Sequence, residues 1–198
     1  LLEIDPRFSG SASVDRETDF RKPLSHQSEG RKSGTRRSDF PVFDGPYSTK
    51  CYLETVCGAF AHLVSSTPTS GARLESPLDC ERLFFHRPYR QLPERAASTL
   101  VAQALEGSMS ERERLHWLDT LDHRSPVLPE DRYELGKKIH KSKLYQDDLA
   151  PKLELGKEFT SHFGNLYTAS LPAWIAAAFA EAETDNLPLA GERWLLIG

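Results

Sequence analysis

The stretch RLFFHRPYRQLPERAASTL, residues 82–100, decides the fold because it joins two kinds of secondary structure without a break. The apolar run at 80–85 predicts a short buried strand, and it ends at His86. Residues 92–107 then show helical spacing, with Pro93 suited to the first turn and Gly107 to the C-terminal end. A strand that leads directly into a helix favours an α/β layered domain.

The rest of the chain extends this alternation. Residues 1–8 and 192–197 have the pattern of short strands, whereas the helical patterns carry their own start signals: Ser48 as a cap, Ser110 with Glu113 as a capping box, and Pro172 in a first turn. The charged stretch at 131–158 is helical in character but should be broken by Gly136 and Pro151. The helices are thus predicted at 47–64, 92–107, 110–121 and 165–183.

Composition excludes several function classes. The chain has 198 residues, enough for one ordinary domain, and its net charge of −4 provides no general attraction to nucleic acid or to a membrane. Residues 21–39 are rich in Ser, Gly, Arg and Lys, and we interpret them as a basic, mobile surface loop; phosphate binding is the less favoured alternative. Both ends resemble strands interrupted in the middle, so we expect residues 1–198 to be part of a longer protein.

Cysteine usage indicates a reducing, cytoplasmic setting. The only cysteines are Cys51, Cys57 and Cys80, an odd and sparse set that does not suggest a disulfide framework. Cys57 lies on the apolar stripe of a predicted helix and is interpreted as a core residue. No CxxC or HExxH motif occurs, so we expect no metal site.

His86 is the first candidate for chemistry. A histidine after a strand is more often structural, but ligand sites of α/β sheets lie beyond the carboxyl ends of strands. A partly apolar setting beside Phe85 and Pro88 could hold the pKa of His86 in a range useful for proton donation. Arg87 and Arg90 would add positive charge suited to phosphate or carboxylate.

The second candidate is the segment HFGNLYTAS, residues 162–170. Gly164 permits close approach of a ligand, and Asn165 offers both a donor and an acceptor to a carbonyl oxygen or an oxyanion. The alternative is an ordinary Gly-Asn turn in which Thr168 or Ser170 caps the following helix, and local pattern alone favours that alternative. His162 is a weaker candidate, and His62 and His140 are expected to be solvated.

Four segments resemble the hydroxymethylglutaryl-CoA synthase family. FFHRPYRQLPERAASTL at 84–100 is similar to the family's histidine segment, and GNLYTAS at 164–170 is similar to its Gly-Asn-x-Tyr-Thr segment. DFRKP at 19–23 and FPVFDGPYSTKCYL at 40–53 resemble two further family motifs, in family order. The matched region is the C-terminal half of the family.

This resemblance implies a thiolase-like fold, an α-β-α-β-α arrangement of two related halves. It implies the Claisen-type condensation of acetyl-CoA with acetoacetyl-CoA, followed by hydrolysis, with CoA thioesters as substrates and no separate cofactor. It implies that His86 is the catalytic histidine and that Asn165 orients the substrate, with Gly164 and Tyr167 in the same segment. The nucleophilic cysteine and the basic glutamate would belong to the N-terminal half of the same protein, and the enzyme would be a homodimer.

Two departures from the family pattern keep alternatives open. Gln91 occupies the position where the family often has a CoA-binding lysine, so Arg90 is the candidate to replace it. The basic insertion within 21–39 is also longer than the pattern. Gln91 therefore leaves open a synthase of polyketide β-branching, which uses a carrier-bound acetoacetyl group. The other competing interpretation is a non-catalytic interaction or dimerisation module, which is favoured because the family's nucleophilic cysteine and basic glutamate are not found in residues 1–198.

Overall fold

The computed structural model describes residues 45–66, 74–108, 132–163 and 166–198. Several predictions lie outside the described residues: the strand at 1–8, the loop at 21–39, the helix at 110–121, and the pair Gly164 and Asn165.

Two parallel strands stand at the centre of the described structure. β1 is Arg82–Phe85 and β2 is Trp194–Ile197, in a register that pairs Arg82 with Trp194 and Phe85 with Ile197. Parallel strands require a long crossover connection, and the chain between them supplies helices. The apolar residues of β1 are fully buried, which explains why the strand reads as a continuous apolar run rather than as an alternating one. Both strands lie where the sequence predicts them, and the α/β class is confirmed.

Helices make up most of the rest. Among the described residues, the α-helices are α1 Gly45–Ser66, α2 Leu92–Ser108, α3 Arg132–His140, α4 Lys157–Ser161 and α5 Ser170–Thr184. Shorter 3-10 turns occur at Pro77–Asp79, Ala150–Leu153 and Tyr167–Ala169, and a π turn occurs at Tyr145–Leu149.

The start of α1 differs from the prediction. The helix begins at Gly45, so Ser48 lies inside its first turn and does not cap it. Pro46 explains the earlier start, because a proline in the first helical turn has a favourable φ and lacks only an N–H that would be unpaired there in any case. The predicted apolar stripe is confirmed, since Cys57 and Phe60 are buried in the core.

The packing of α3 against α2 corrects a second prediction. Gly136 was expected to break a helix, yet α3 runs through it, and the residue is buried. A Cβ atom at this position would lie 2.9 Å from Oγ1 and 3.1 Å from Cα of Thr99. The glycine therefore brings the two helices close together instead of ending one of them.

Trp174 holds α5 against the sheet and against the turn before α4. Its indole N–H donates to the backbone oxygen of Leu155 at 2.9 Å, and its ring meets Phe84 edge-on, with centroids 5.6 Å apart. Gly156, with φ of +74°, follows Leu155 and lies against the backbone of Ala178. This packing brings the N-terminus of α5 to the carboxyl end of β1, where His86 lies.

Candidate active site

His86 extends the sheet by one residue beyond β1. Its backbone N–H donates to the oxygen of Ile197 at 2.6 Å, and its own carbonyl accepts a hydrogen bond of 2.8 Å from the hydroxyl of Tyr52 on α1. The backbone is thus held from two sides. The sequence prediction that a histidine stands at the carboxyl end of a buried strand is confirmed.

The imidazole of His86 is half-buried and has a defined polar partner. Its Nδ1 lies 2.7 Å from Oγ of Ser170, the first residue of α5. The ring of Tyr52 is tilted by 39° relative to the imidazole, with ring centroids 6.4 Å apart. Burial lowers the pKa of His86 below its ordinary value of 6.5, so the neutral imidazole predominates near pH 7.

Ser170 is a site residue that local sequence reasoning missed. It was considered only as a possible helix cap, but the residue before α5 is Ala169 and no side chain caps that helix. The Ser170 hydroxyl instead accepts the backbone N–H of Arg87 at 3.0 Å and contacts His86. No local signal could reveal this pairing, because the two residues are 84 positions apart.

Arg87 does not present its charge to a ligand, which corrects the sequence interpretation. Its side chain is buried, and its guanidinium donates to the backbone oxygen of Lys157 at 3.2 Å, to Oγ1 of Thr160, and to Oγ of Ser161 at 3.1 Å. The cation also stands 5.4 Å from the centre of the Trp174 ring. These contacts use the donors of Arg87 to hold α4 at both its first and its last residues.

Arg90 and Tyr167 remain accessible. Arg90 is exposed in the turn between β1 and α2, so its charge is directed to solvent rather than to the core. Tyr167 is 72% exposed and has a φ of +50°, an unusual backbone conformation for a residue with a side chain. Gly164 and Asn165 precede it but lie outside the described residues, so their predicted contacts stay predictions.

The cysteines show the properties of core residues. Cys51, Cys57 and Cys80 are all buried and unlinked. Burial raises the pKa of Cys57 to about 11 and that of Cys80 to about 12, which disfavours the reactive thiolate. The interpretation of Cys57 as a core residue is confirmed.

The other histidines differ from one another. His162 is exposed, and its Nε2 lies 3.6 Å from a carboxylate oxygen of Glu158. His140 is half-buried against the ring of Tyr145, with centroids 4.4 Å apart, so the expectation that it is solvated was wrong. The solvated interpretation holds for His62, which is exposed on α1.

Two further observations concern only the part of the chain that the structure describes. It contains no group of three or more histidine, cysteine or carboxylate side chains arranged to hold a metal ion. No helix within these ranges is long and apolar enough to cross a membrane.

The geometry defines a class of site. A half-buried imidazole lies where a parallel strand ends, and the first residue of a packed helix orients it. Such an imidazole can donate a hydrogen bond or a proton to an oxygen on which negative charge develops. The carboxyl end of a strand is also where ligands of open α/β sheets bind, so His86 is a candidate site residue.

Comparison with known proteins identifies the family. Residues 15–196 match the family described as hydroxymethylglutaryl-coenzyme A synthase C terminal, and the chain belongs to this family. A hydroxymethylglutaryl-CoA synthase from Caenorhabditis elegans is 25% identical over 180 residues, which are 90% of this chain and 35% of the relative.

A solved structure supports the fold. The structure described as MvaS in complex with 3-hydroxy-3-methylglutaryl coenzyme A superimposes with a TM-score of 0.59 and 23% sequence identity. The match covers 97% of this chain and 38% of that one, and it confirms the thiolase-like α/β fold that the resemblance implied. The chain thus spans little more than a third of the length of the relatives it matches.

Proposed function

We propose that this chain is the C-terminal part of a hydroxymethylglutaryl-CoA synthase. In the full-length protein, acetyl-CoA would condense with acetoacetyl-CoA and water to give 3-hydroxy-3-methylglutaryl-CoA and CoA. Family membership supports the reaction class, and one structural observation supports the assignment most directly: the half-buried imidazole of His86 at the end of β1, held by Ser170.

His86 would serve the acetoacetyl substrate. When the acetyl carbanion attacks the C3 carbonyl of acetoacetyl-CoA, the carbonyl oxygen gains negative charge and becomes an alkoxide. A hydrogen bond or a proton from the imidazole would stabilise that charge, and general acid catalysis typically accelerates a reaction by about 10²- to 10⁴-fold.

The remaining site residues would bind the thioester. Asn165, with Gly164 allowing close approach, would hold the thioester carbonyl, and Tyr167 would support this segment. Arg90 would offer its charge to the phosphates of CoA, since it is exposed whereas Arg87 is buried. No metal or separate cofactor is needed for this chemistry.

The acyl-accepting nucleophile would come from outside this chain. All three cysteines are buried, and burial also raises the pKa of Cys57 and Cys80, so they are poor candidates; the nucleophilic cysteine and the basic glutamate would lie in the N-terminal half of the same protein. We further propose a cytoplasmic homodimer that supplies an isoprenoid pathway.

The test uses the full-length protein with both thioesters. We would follow the loss of the acetoacetyl-CoA enolate absorbance together with the release of free CoA. His86→Ala should lose condensation by about 10²- to 10⁴-fold while a cysteine is still acetylated, as detected by mass. His62→Ala, which changes an exposed histidine on α1, is the matched control and should keep turnover.

Other outcomes would point elsewhere. Full turnover in His86→Ala would refute the role of His86. Acetylation without condensation in the unmodified protein would favour the carrier-dependent β-branching synthase. If neither acetylation nor turnover occurs, the interaction-module interpretation is favoured.

A further inference from the structure

We infer that Ser170 is a positioning residue that holds His86 as the neutral Nε2–H tautomer, so that His86 acts on the substrate as a hydrogen-bond donor through Nε2. This inference rests on the proposed function and makes it more specific. It assigns the reacting atom of His86, and it gives a chemical role to the first residue of α5.

The hydrogen-bonding capacity of the Ser170 hydroxyl leads to this assignment. A hydroxyl has one proton and two lone pairs, and the backbone N–H of Arg87 can only donate. One lone pair of Oγ is therefore used by that N–H, at 3.0 Å. The hydroxyl proton remains available, and Nδ1 of His86 lies 2.7 Å away.

Only one arrangement satisfies every group. If Ser170 donates to Nδ1, that nitrogen is an acceptor and the imidazole proton resides on Nε2. If Nδ1 were the donor, the hydroxyl proton would need another acceptor, and none is found within hydrogen-bond distance among the described residues. Ser170 is only 5% exposed, so solvent is a poor substitute, and a buried polar proton without a partner is costly.

The surroundings keep this hydroxyl in place. Arg87, whose N–H orients Ser170, is itself anchored to α4 through its guanidinium and cannot swing away without breaking several hydrogen bonds. Trp174, one turn after Ser170 on α5, is tied to the turn before α4. The serine is therefore held between two anchored segments, which is the usual condition for setting the orientation and tautomer of a histidine through a second residue.

The tautomer decides the chemistry. A neutral Nε2–H imidazole stabilises a developing alkoxide by a hydrogen bond, without giving up its only ring proton. It does not become an imidazolate, so the proton that completes the alcohol would come from the glutamic acid of the N-terminal half, which the proposed mechanism forms when the basic glutamate removes the acetyl proton. An imidazolium would instead transfer its own proton.

The pH dependence distinguishes these two modes. Among the described residues, the titratable side chain seen beside His86 is Tyr52 from α1. The guanidinium of Arg87 is turned to α4, Arg90 is exposed, and neither β2 nor the first turn of α5 contains a titratable side chain. If the neutral form is active, kcat should fall as pH decreases through the pKa of His86. If the imidazolium is active, kcat should fall as pH increases through it.

The experiment reads the tautomer directly and does not depend on activity. Side-chain ¹⁵N NMR of the full-length protein, with the His86 signals assigned by their loss in His86→Ala, should show a protonated Nε2 and an unprotonated Nδ1 above neutral pH. Ser170→Ala should lose this single tautomer. Ser170→Thr retains a hydroxyl and should restore it, whereas Thr184→Ala, which removes a hydroxyl at the far end of α5, should have no effect.

Kinetics supply the second readout. We expect Ser170→Ala to lower kcat by about 10- to 100-fold, with a much smaller change in KM, and to move the acidic limb of the kcat profile to higher pH. The limb moves because loss of the hydrogen bond to the Nδ1 lone pair makes protonation easier. Ser170→Thr should recover most of the rate.

Each outcome is decisive. A protonated Nδ1 in the unmodified protein overturns the inference, as does an unchanged tautomer and kcat in Ser170→Ala. Should Ser170→Ala fail to fold, Ser170→Cys, of similar size but with a weak S–H donor, takes its place under the same criteria. Absence of synthase turnover in the unmodified protein would refute the proposed function, while the NMR result would still decide the role of Ser170.

Discussion

At the scale of single residues, two glycines share a backbone conformation but not an environment. Gly156 has a φ of +74° and Gly191 a φ of +87°, a region that costs other residues about 1–2 kcal/mol. A Cβ on Gly191 would meet nothing within 4 Å. A Cβ on Gly156 would lie 2.5 Å from the backbone nitrogen of Ala178 and 2.9 Å from the oxygen of Trp174.

Replacing either glycine with alanine should therefore lower the free energy of unfolding, but by different amounts. Gly191→Ala should lower the free energy of unfolding by about 1–2 kcal/mol, from backbone strain alone. Gly156→Ala should lower the free energy of unfolding by about 2–5 kcal/mol, because overpacking against the backbone of α5 adds about 1–3 kcal/mol to the same strain. Urea unfolding of both variants measures the difference, and equal losses would show that α5 moves to accommodate the new methyl group.

Single residues also show which parts of the candidate site could be predicted from local sequence patterns. His86 could be singled out because the strand that carries it adjoins it in sequence. Ser170 could not, because its role depends on the packing of α5 against the end of β1, and the same residue fits an ordinary helix cap equally well. Arg87 and Arg90 look alike in sequence, and only burial separates them.

At the scale of elements, we expect Arg87 to contribute to the stability of the fold and Arg90 to contribute to substrate binding. Arg87→Met removes the donors that hold α4 and should lower the free energy of unfolding by about 1–3 kcal/mol. Arg90→Ala should change stability by less than about 0.5 kcal/mol, since the residue is exposed.

The binding half of this prediction concerns the CoA thioesters that we propose as substrates. In the full-length protein, Arg90→Ala should raise KM by about two- to tenfold with kcat nearly unchanged, and the effect should shrink as salt increases. Steady-state kinetics at low and high ionic strength measure it. An unaffected KM at low salt would remove Arg90 from the binding site.

Element boundaries were predictable where one local signal dominates. β1 follows from an apolar run, and α2 follows from helical spacing that begins at Leu92, with Pro93 in the first turn. Gly136 was misjudged because intrinsic helix propensity disfavours glycine by only about 1 kcal/mol, and the close contact with Thr99 outweighs that preference. Such a contact between α2 and α3 cannot be seen in either segment alone.

At the scale of the whole molecule, acid should destabilise the fold. Burial lowers the pKa of His86 and of His140, so both take up protons more readily in the unfolded chain. Their contribution to stability is complete above the unfolded value of 6.5 and is lost as pH falls below it. Glu81 acts in the same direction at lower pH, because the backbone N–H of Arg193 lowers the pKa of its carboxyl from 4.5.

Urea midpoints between pH 8 and pH 4 check this expectation. The midpoint should stay level above about pH 6.5 and decrease below it. His86→Gln combined with His140→Gln should flatten the upper part of this decrease and leave the part due to carboxyl groups. A midpoint that rises on acidification would contradict the burial of the two imidazoles.

Sequence alone determined the class of this protein: an α/β chain of the synthase family, with a histidine at the end of a buried strand. Those conclusions depend on apolar runs, helical spacing and short motifs, all of which are local properties of the chain. Tertiary structure alone decided that Arg87 is anchored inside, that Gly136 brings two helices together, and that the hydroxyl of Ser170 lies against Nδ1 of His86. These facts depend on contacts between segments far apart in sequence, where packing and hydrogen-bond satisfaction outweigh local preference.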